Sequence, residues 1–162
     1  MRLSEGVEWG LHCAVLVALL PPDRALPAGR LADYHGVPPA YLAKHLQALS
    51  RAQILDSVPG PRGGYRLARP ATDVTVLDVV EAIDGTEPAF RCTEIRRQGP
   101  TRLATREYRV PCSIHVVMAS AEDAWRAELR RTSIADLVGM VGASAPPASL
   151  AKGLDWFQEV LP

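Results

Sequence analysis

Residues 27–67 have the sequence PAGRLADYHGVPPAYLAKHLQALSRAQILDSVPGPRGGYRL, and it predicts the architecture. Two helices, 27–35 and 39–52, meet at Gly36, which is typical of a helix-turn-helix. Leu42, Leu46 and Leu49 form one apolar stripe on the second helix because they are four and three residues apart. A strand over 54–58, a Pro/Gly turn over 59–64 and a strand over 65–68 follow as a hairpin. The sequence therefore predicts a mainly α fold with a small β-hairpin wing, a winged helix-turn-helix.

The sequence on either side predicts further helices. Helical patterns cover 4–20, with Ser4 as a candidate N-cap, and 75–83, with a Thr75–Asp78 capping box. A long helix follows over 114–130 and another over 134–141. We therefore expect a winged-helix domain over 1–85, an irregular segment over 86–113, helices over 114–141, and a linker with a tail over 142–162. The linker spans 142–149, and the tail over 150–162 is expected to dock as a short helix through Leu154, Trp156 and Phe157.

Charge and hydropathy narrow the class of protein. The chain has 162 residues, with 18 Lys and Arg against 18 Asp and Glu, which excludes a strongly basic nucleic-acid coat protein. Residues 1–70 carry eight basic and five acidic side chains, so a local basic face remains. The longest apolar run, Leu11–Leu20, is too short to span a membrane, and the first residues do not resemble a signal peptide. We expect a cytoplasmic protein with no membrane contact.

Helix 39–52 is the candidate recognition helix for double-stranded DNA. Because its leucine stripe faces the core, other side chains of the helix face outward, where they can reach base edges and phosphates. At the wing, Arg62 lies between glycines and could enter a minor groove, and Arg66 is a phosphate candidate. A protein-interaction module with solvated charges is the alternative. The candidate DNA contacts are Ala40, Tyr41, Lys44, Gln47, Arg51, Arg62 and Arg66.

These segments resemble the IscR/NsrR/RirA-type winged-helix transcription regulators. The matching segments are MRLS at 1–4, PPAYLAK at 38–44, GPRGGYRL at 60–67 and TVLDVVEAIDG at 75–85. The resemblance covers residues 1 to about 141 and implies a homodimer held by the long helix 114–130. It also implies binding to a partly palindromic operator, often under the control of an iron–sulfur cluster.

The cysteine pattern departs from that family. Members commonly carry three cysteines in the loop before the dimerisation helix, whereas this loop has two, Cys92 and Cys112. The first helix offers Glu8 and His12, four residues apart on one face. This segment closely resembles the RsrR-type redox-sensing subgroup, which binds a [2Fe–2S] cluster through two Cys, one His and one Glu. That resemblance implies Glu8, His12, Cys92 and Cys112 as ligands, with the first helix of one subunit serving the cysteines of the other.

Other assignments remain open. His115, three residues after Cys112, could replace His12 or Glu8. Cys13 could also be a ligand, but it lies within an apolar run and is expected to be a buried thiol. Without a cluster, Cys92 and Cys112 could form a thiol/disulfide switch, or the same four side chains could hold a structural zinc ion. The sequence has no phosphate-binding glycine loop, nucleophile elbow or metalloprotease motif, so we do not expect an enzyme.

Overall fold

The computed structural model describes residues 3–60 and 63–161. Within it, Thr86–Glu128 form one compact unit, and the remaining described residues form the other. The larger unit contains the winged helix predicted from the sequence, together with the described residues from Leu129 onward. None of the helices in the described ranges is long and apolar enough to cross a bilayer.

Helix α1, Glu5–Ala18, runs through the centre of the larger unit and packs against other helices and the hairpin. It ends before Pro21, because proline has no backbone N–H to donate within a helix. Ser4 occupies the N-cap position but does not cap the helix, which differs from the prediction. Instead its backbone N–H and its hydroxyl both donate to Asp84, so the side chain connects two helices.

The helix-turn-helix consists of α2, Ala28–His35, and α3, Pro39–Arg51. Gly36 ends α2 with φ of 67°, a left-handed conformation that glycine adopts without strain. Leu42, Leu46 and Leu49 are fully buried, which confirms the apolar stripe. The core of this unit therefore lies between α3, α1 and the neighbouring elements.

The wing consists of β1, Leu55–Val58, and β2, Gly64–Leu67, which pair antiparallel with Leu55 opposite Leu67. Leu26 adds a short bridge to Tyr65 on the other side of β2. A Cβ at Gly64 would lie 2.3 Å from the Leu26 carbonyl oxygen. Only glycine therefore allows this close approach of the two backbones.

Two capped helices complete the packing around α1. Helix α4, Val76–Asp84, begins with the predicted Thr75–Asp78 capping box, and α6, Ile134–Ser144, begins with one between Ser133 and Asp136. The Ile134 N–H donates to the Val74 carbonyl, and the Ile134 side chain is fully buried. The start of α6 is thereby fixed to the start of α4.

The C-terminal region differs from the expected linker and tail. Gly142 to Ser144 extend α6, and α7 begins at Pro147 and runs to Val160, because proline is tolerated in a first helical turn. The linker is therefore far shorter than predicted. Trp156 and Phe157 pack against the core as expected, whereas Leu154 is exposed.

The smaller unit contains an irregular segment and most of α5, Ser113–Arg131. Two single 3-10 turns, Ile95–Arg97 and Thr105–Glu107, interrupt the irregular segment. Arg126 of α5 donates hydrogen bonds to Glu122 and to the Thr86 carbonyl. The bond to Thr86 fastens the start of the segment to the helix.

One buried histidine lies between α3 and α1. Burial, and then the nearby charge of Lys44, lower the pKa of His45 below its usual value near 6.5, against a smaller opposing effect of Glu5. A Cβ at Gly6 would lie 2.5 Å from the His45 ring, so the imidazole is closely enclosed. The folded chain therefore favours the neutral form of His45.

We expect the free energy of unfolding to fall as the pH drops from about 7.5 to about 5. The unfolded chain takes up a proton on His45 near its usual pKa, whereas the folded chain takes it up only at lower pH. Urea unfolding at several pH values measures this slope. His45→Gln, which cannot be protonated, should flatten part of it, and an unchanged slope in that variant would contradict the assignment.

Candidate nucleic-acid interface and cysteine segment

The outer face of α3 presents a continuous row of side chains to solvent. Ala40, Lys44, Gln47 and Arg51 are all exposed, at spacings of four, three and four residues. They therefore lie along one side of the helix, opposite the buried leucine stripe. The small side chain of Ala40 leaves room for close approach, and the other three supply hydrogen-bond donors. This is the face that the sequence predicted for DNA contact.

Tyr41 lies in a different environment from its neighbours on α3. Its ring is half-buried, edge-on to Trp9 at 5.8 Å between centroids, and its hydroxyl donates to Glu5 Oε2 at 2.9 Å. The hydrogen bond to Glu5, and then burial, raise the pKa of Tyr41. Both partners belong to α1, so the Tyr41 side chain is engaged within the chain.

The wing contributes one described candidate. Arg66 lies on β2 directly opposite Asp56, and its Nη2 is 3.6 Å from the Asp56 carboxylate. Both side chains remain largely exposed, so the pairing leaves the guanidinium within reach of a phosphate. Arg62, the candidate at the wing tip, lies outside the described residues.

The exposed face of α1 carries Glu8 and His12, four residues apart. The His12 ring lies 5.9 Å from the ring of His35 on α2. Burial, and then the charge of His12, lower the pKa of His35. The sequence carries no signal for His35 or His45, because contacts between helices determine their surroundings and spacing alone does not reveal them.

The cysteines fall into two environments. Cys13 is fully buried in α1, as predicted, and burial raises the pKa of its thiol to about 12. Cys92 and Cys112 are half-buried in the smaller unit. The Cys112 carbonyl accepts the Val116 N–H at 3.0 Å, so Cys112 lies at the N-terminus of α5.

The helix terminus makes Cys112 the more acidic type of thiol. The backbone N–H groups of His115 and then Ile114 lower the pKa of Cys112, burial opposes them, and the charge of Arg96 adds to the lowering. Helix N-termini and neighbouring cations are the usual causes of thiolate formation near neutral pH. Cys112 is therefore suited to be a nucleophile or a metal ligand.

Arg96 lies between Cys92 and Cys112 in the sequence, and several contacts hold its side chain in place. Its guanidinium donates to Glu94 and to the Val110 carbonyl at 3.1 Å, and it lies 5.2 Å from the centre of the Tyr108 ring. The bond to Glu94 is the main effect that raises the Arg96 pKa, and negative charge on Cys112 and Cys92 adds to it. A fixed cation thus lies near both thiols. No motif in the sequence signals this arginine.

The candidate ligands divide between the two units. Glu8 and His12 belong to the winged-helix unit, and Cys92, Cys112 and the exposed His115 belong to the other. Over the described ranges 3–60 and 63–161, neither unit on its own brings together three His, Cys, Asp or Glu side chains that could hold a metal ion.

A family model and a named relative each match most of this chain. The family model Rrf2, described as an iron-dependent transcriptional regulator, matches residues 3–140. BadM of Rhodopseudomonas palustris, named as an HTH-type transcriptional regulator, is 32% identical over 87% of this chain and 83% of its own length.

Solved structures share the fold. CymR, named the global cysteine regulator of B. subtilis, superimposes with a TM-score of 0.69 at 18% identity, covering 86% of this chain and 98% of its own. IscR from T. potens gives a TM-score of 0.66 at 18% identity, covering 93% of this chain and 96% of its own. The mainly helical fold with its two-stranded wing is therefore that of winged-helix regulators.

Cys112 and Cys13 should differ in reactivity. We expect iodoacetamide to label Cys112 in the reduced, metal-free chain at neutral pH well before Cys13, because alkylation requires a thiolate. Peptide mass spectrometry of timed samples gives the order. Arg96→Gln should slow the labelling of Cys112, whereas Arg30→Gln on α2 should leave it unchanged. Equal rates for Cys13 and Cys112 would contradict the two environments.

Proposed function

Because the chain belongs to the Rrf2 family of iron-dependent transcriptional regulators, we propose that it is a homodimeric, cytoplasmic DNA-binding regulator whose operator affinity follows the redox state of a [2Fe–2S] cluster. The observation that carries the DNA-binding part is the exposed row on α3, opposite a fully buried leucine stripe. A row of this kind on the second helix of a helix-turn-helix is suited to the major groove.

Contacts to DNA would divide between the two elements of the winged helix. Lys44, Gln47 and Arg51 can donate to base edges or phosphates, and Arg66 can donate to the phosphate backbone beside the wing. We propose Arg62 as the wing-tip contact on the sequence pattern alone. Tyr41 is engaged with α1, which argues against a direct base contact through its hydroxyl.

The apolar surface of α5 supports a homodimer. Ile114, Val117 and Met118 lie in its first two turns and are 61%, 66% and 40% exposed. Positions three and four residues apart share a helix face, so these side chains form an apolar patch on the isolated chain. A second copy of α5 would cover such a patch. Two recognition helices would then face two half-sites about one helical turn apart.

The donor set fits a [2Fe–2S] cluster. The four candidate ligands are Glu8, His12, Cys92 and Cys112, contributed by two subunits as the family resemblance implies. The lowered pKa of Cys112, to which the charge of Arg96 contributes, favours a thiolate ligand at that position. Glu8 and His12 are exposed on one face of α1 and free of the core. A mixed thiolate and histidine donor set has precedent in Rieske centres.

The bound cluster would supply a reversible one-electron redox change, at a potential raised by its small number of thiolates. The chain's own residues would convey that change. Glu8 and His12 extend from α1, and α1 packs directly against α3. A displacement of α1 would therefore move the recognition helix, and half-site spacing makes affinity sensitive to small rotations.

A second candidate function uses the same cysteines without a cluster. The lowered pKa of Cys112 favours attack by its thiolate on a peroxide, which would give a sulfenic acid at Cys112 and release the peroxide's other oxygen as an alcohol or water. The Cys92 thiol would then displace water from that sulfenic acid to form a reversible disulfide. A structural zinc ion bound by the same four side chains is a third candidate. Metal analysis would distinguish it from the cluster and from the disulfide.

Replacement of Lys44 tests the DNA interface. We expect Lys44→Ala to weaken binding to a duplex selected from a random-sequence pool, and to lower the slope of log affinity against log salt by about 1. Fluorescence anisotropy at several salt concentrations measures both quantities. Lys152→Ala, an exposed lysine on α7, is the matched control and should bind as the wild type does.

Two results would contradict the interface. One is equal affinity and salt slope in Lys44→Ala and the wild type. The other is a wild-type chain that enriches no duplex from the pool.

Replacement of the α1 ligands tests the cluster. We expect Glu8→Ala and His12→Ala each to change or abolish the visible absorbance of anaerobically purified protein, because each removes one iron ligand. His115→Ala is the matched control and should keep the spectrum. If only His115→Ala changes the spectrum, the ligand assignment is wrong. If a wild-type chain is colourless and cannot be reconstituted, a thiol switch or zinc replaces the cluster.

A further inference from the structure

The first turn of α1 and the first turn of α3 are joined by a hydrogen bond between side chains. The Tyr41 hydroxyl donates to Glu5 Oε2 at 2.9 Å, across 36 residues of sequence. Bonds of this kind, with an ionised acceptor, are stronger than bonds between neutral groups. The Glu5–Tyr41 bond therefore connects two helices at a defined distance.

Two aromatic rings pack against the Tyr41 ring beside this exposed bond. The Trp9 ring of α1 and the His45 ring of α3 each lie 5.8 Å from the Tyr41 ring, both edge-on. Gly6 allows α1 to approach His45 so closely that a Cβ there would lie 2.5 Å from the imidazole. The Tyr41 ring has little freedom to move away from Glu5.

Tyr41 also contacts Lys44, one member of the exposed row on α3. The Lys44 ammonium lies 5.5 Å from the centre of the Tyr41 ring, on the next turn of α3. A cation near an aromatic face is attracted to it. The position of the Tyr41 ring therefore influences where the Lys44 side chain is held.

We infer that Tyr41 is a positioning residue, and that its hydrogen bond to Glu5 transmits the placement of α1 to Lys44 on the recognition helix. This inference rests on the proposed function and identifies the contact through which a change at α1 would reach the recognition helix. Glu5, Glu8 and His12 share α1, so a change at the candidate ligands reaches Tyr41 through one rigid helix. Tyr41 then acts on DNA through Lys44 and makes no direct contact of its own.

A double-mutant cycle tests this inference in the full-length protein. The variants are Tyr41→Phe, which removes only the hydroxyl, Glu5→Ala, and the two combined, with Tyr34→Phe as the matched tyrosine control. The affinity for the selected duplex is measured for each variant, as isolated and after reduction with dithionite. The cycle cancels the general effect of losing the Glu5 charge near DNA.

We expect Tyr41→Phe to weaken DNA binding about three- to tenfold in the wild-type background and to have no effect in the Glu5→Ala background. We also expect the ratio of affinities between the two redox states to shrink in both single variants and to persist in Tyr34→Phe. A purely structural role would lower the melting temperature and leave that ratio unchanged, so the ratio separates the two.

Several results would overturn the inference. If Tyr41→Phe weakens binding equally in both backgrounds, the hydroxyl contacts DNA directly. If Tyr41→Phe binds as the wild type does in both redox states, the bond transmits nothing. Failure of the proposed function is a separate result, because in that case the wild-type chain itself binds no duplex in either state.

Discussion

The close packing of α1 against its neighbours is the constraint on which the rest of the structure depends. Gly6 and Gly10 allow this contact, since a Cβ at Gly6 would lie 2.5 Å from the His45 ring and one at Gly10 would lie 3.2 Å from Val79 Cγ1. The contact packs α1 closely against α3 and α4. One exposed face of α1 remains, and it carries Glu8 and His12. That face therefore belongs to a helix that contacts several elements of the winged helix.

Local sequence patterns predicted most of the fold. The leucine stripe of α3, the glycine stop of α2, the hairpin and the Thr75 capping box each depend on residues a few positions apart, and the structure confirms them. The exposure of Lys44, Gln47 and Arg51 followed from the same periodicity. Helix boundaries and one-sided faces are local properties, so spacing is sufficient to find them.

Contacts between distant elements could not be predicted. Ser4 was expected to cap α1 and instead donates to Asp84, and Tyr41 was expected to face outward and instead donates to Glu5. Arg96 carries no motif, yet its charge lies near two cysteines. Each depends on tertiary packing, which composition and spacing do not specify. The contrast between acidic Cys112 and buried Cys13 likewise arises from a helix terminus and from the core.

The most direct test of the account compares the DNA affinity of one protein sample in two redox states. Anaerobically purified wild-type chain would be titrated with the selected duplex as isolated and after stoichiometric reduction with dithionite, at one salt concentration. A redox-controlled regulator should show affinities that differ by about fivefold or more, the range of ordinary allosteric coupling, with the change reversed on reoxidation. Equal affinities in a sample whose visible spectrum bleaches would contradict it.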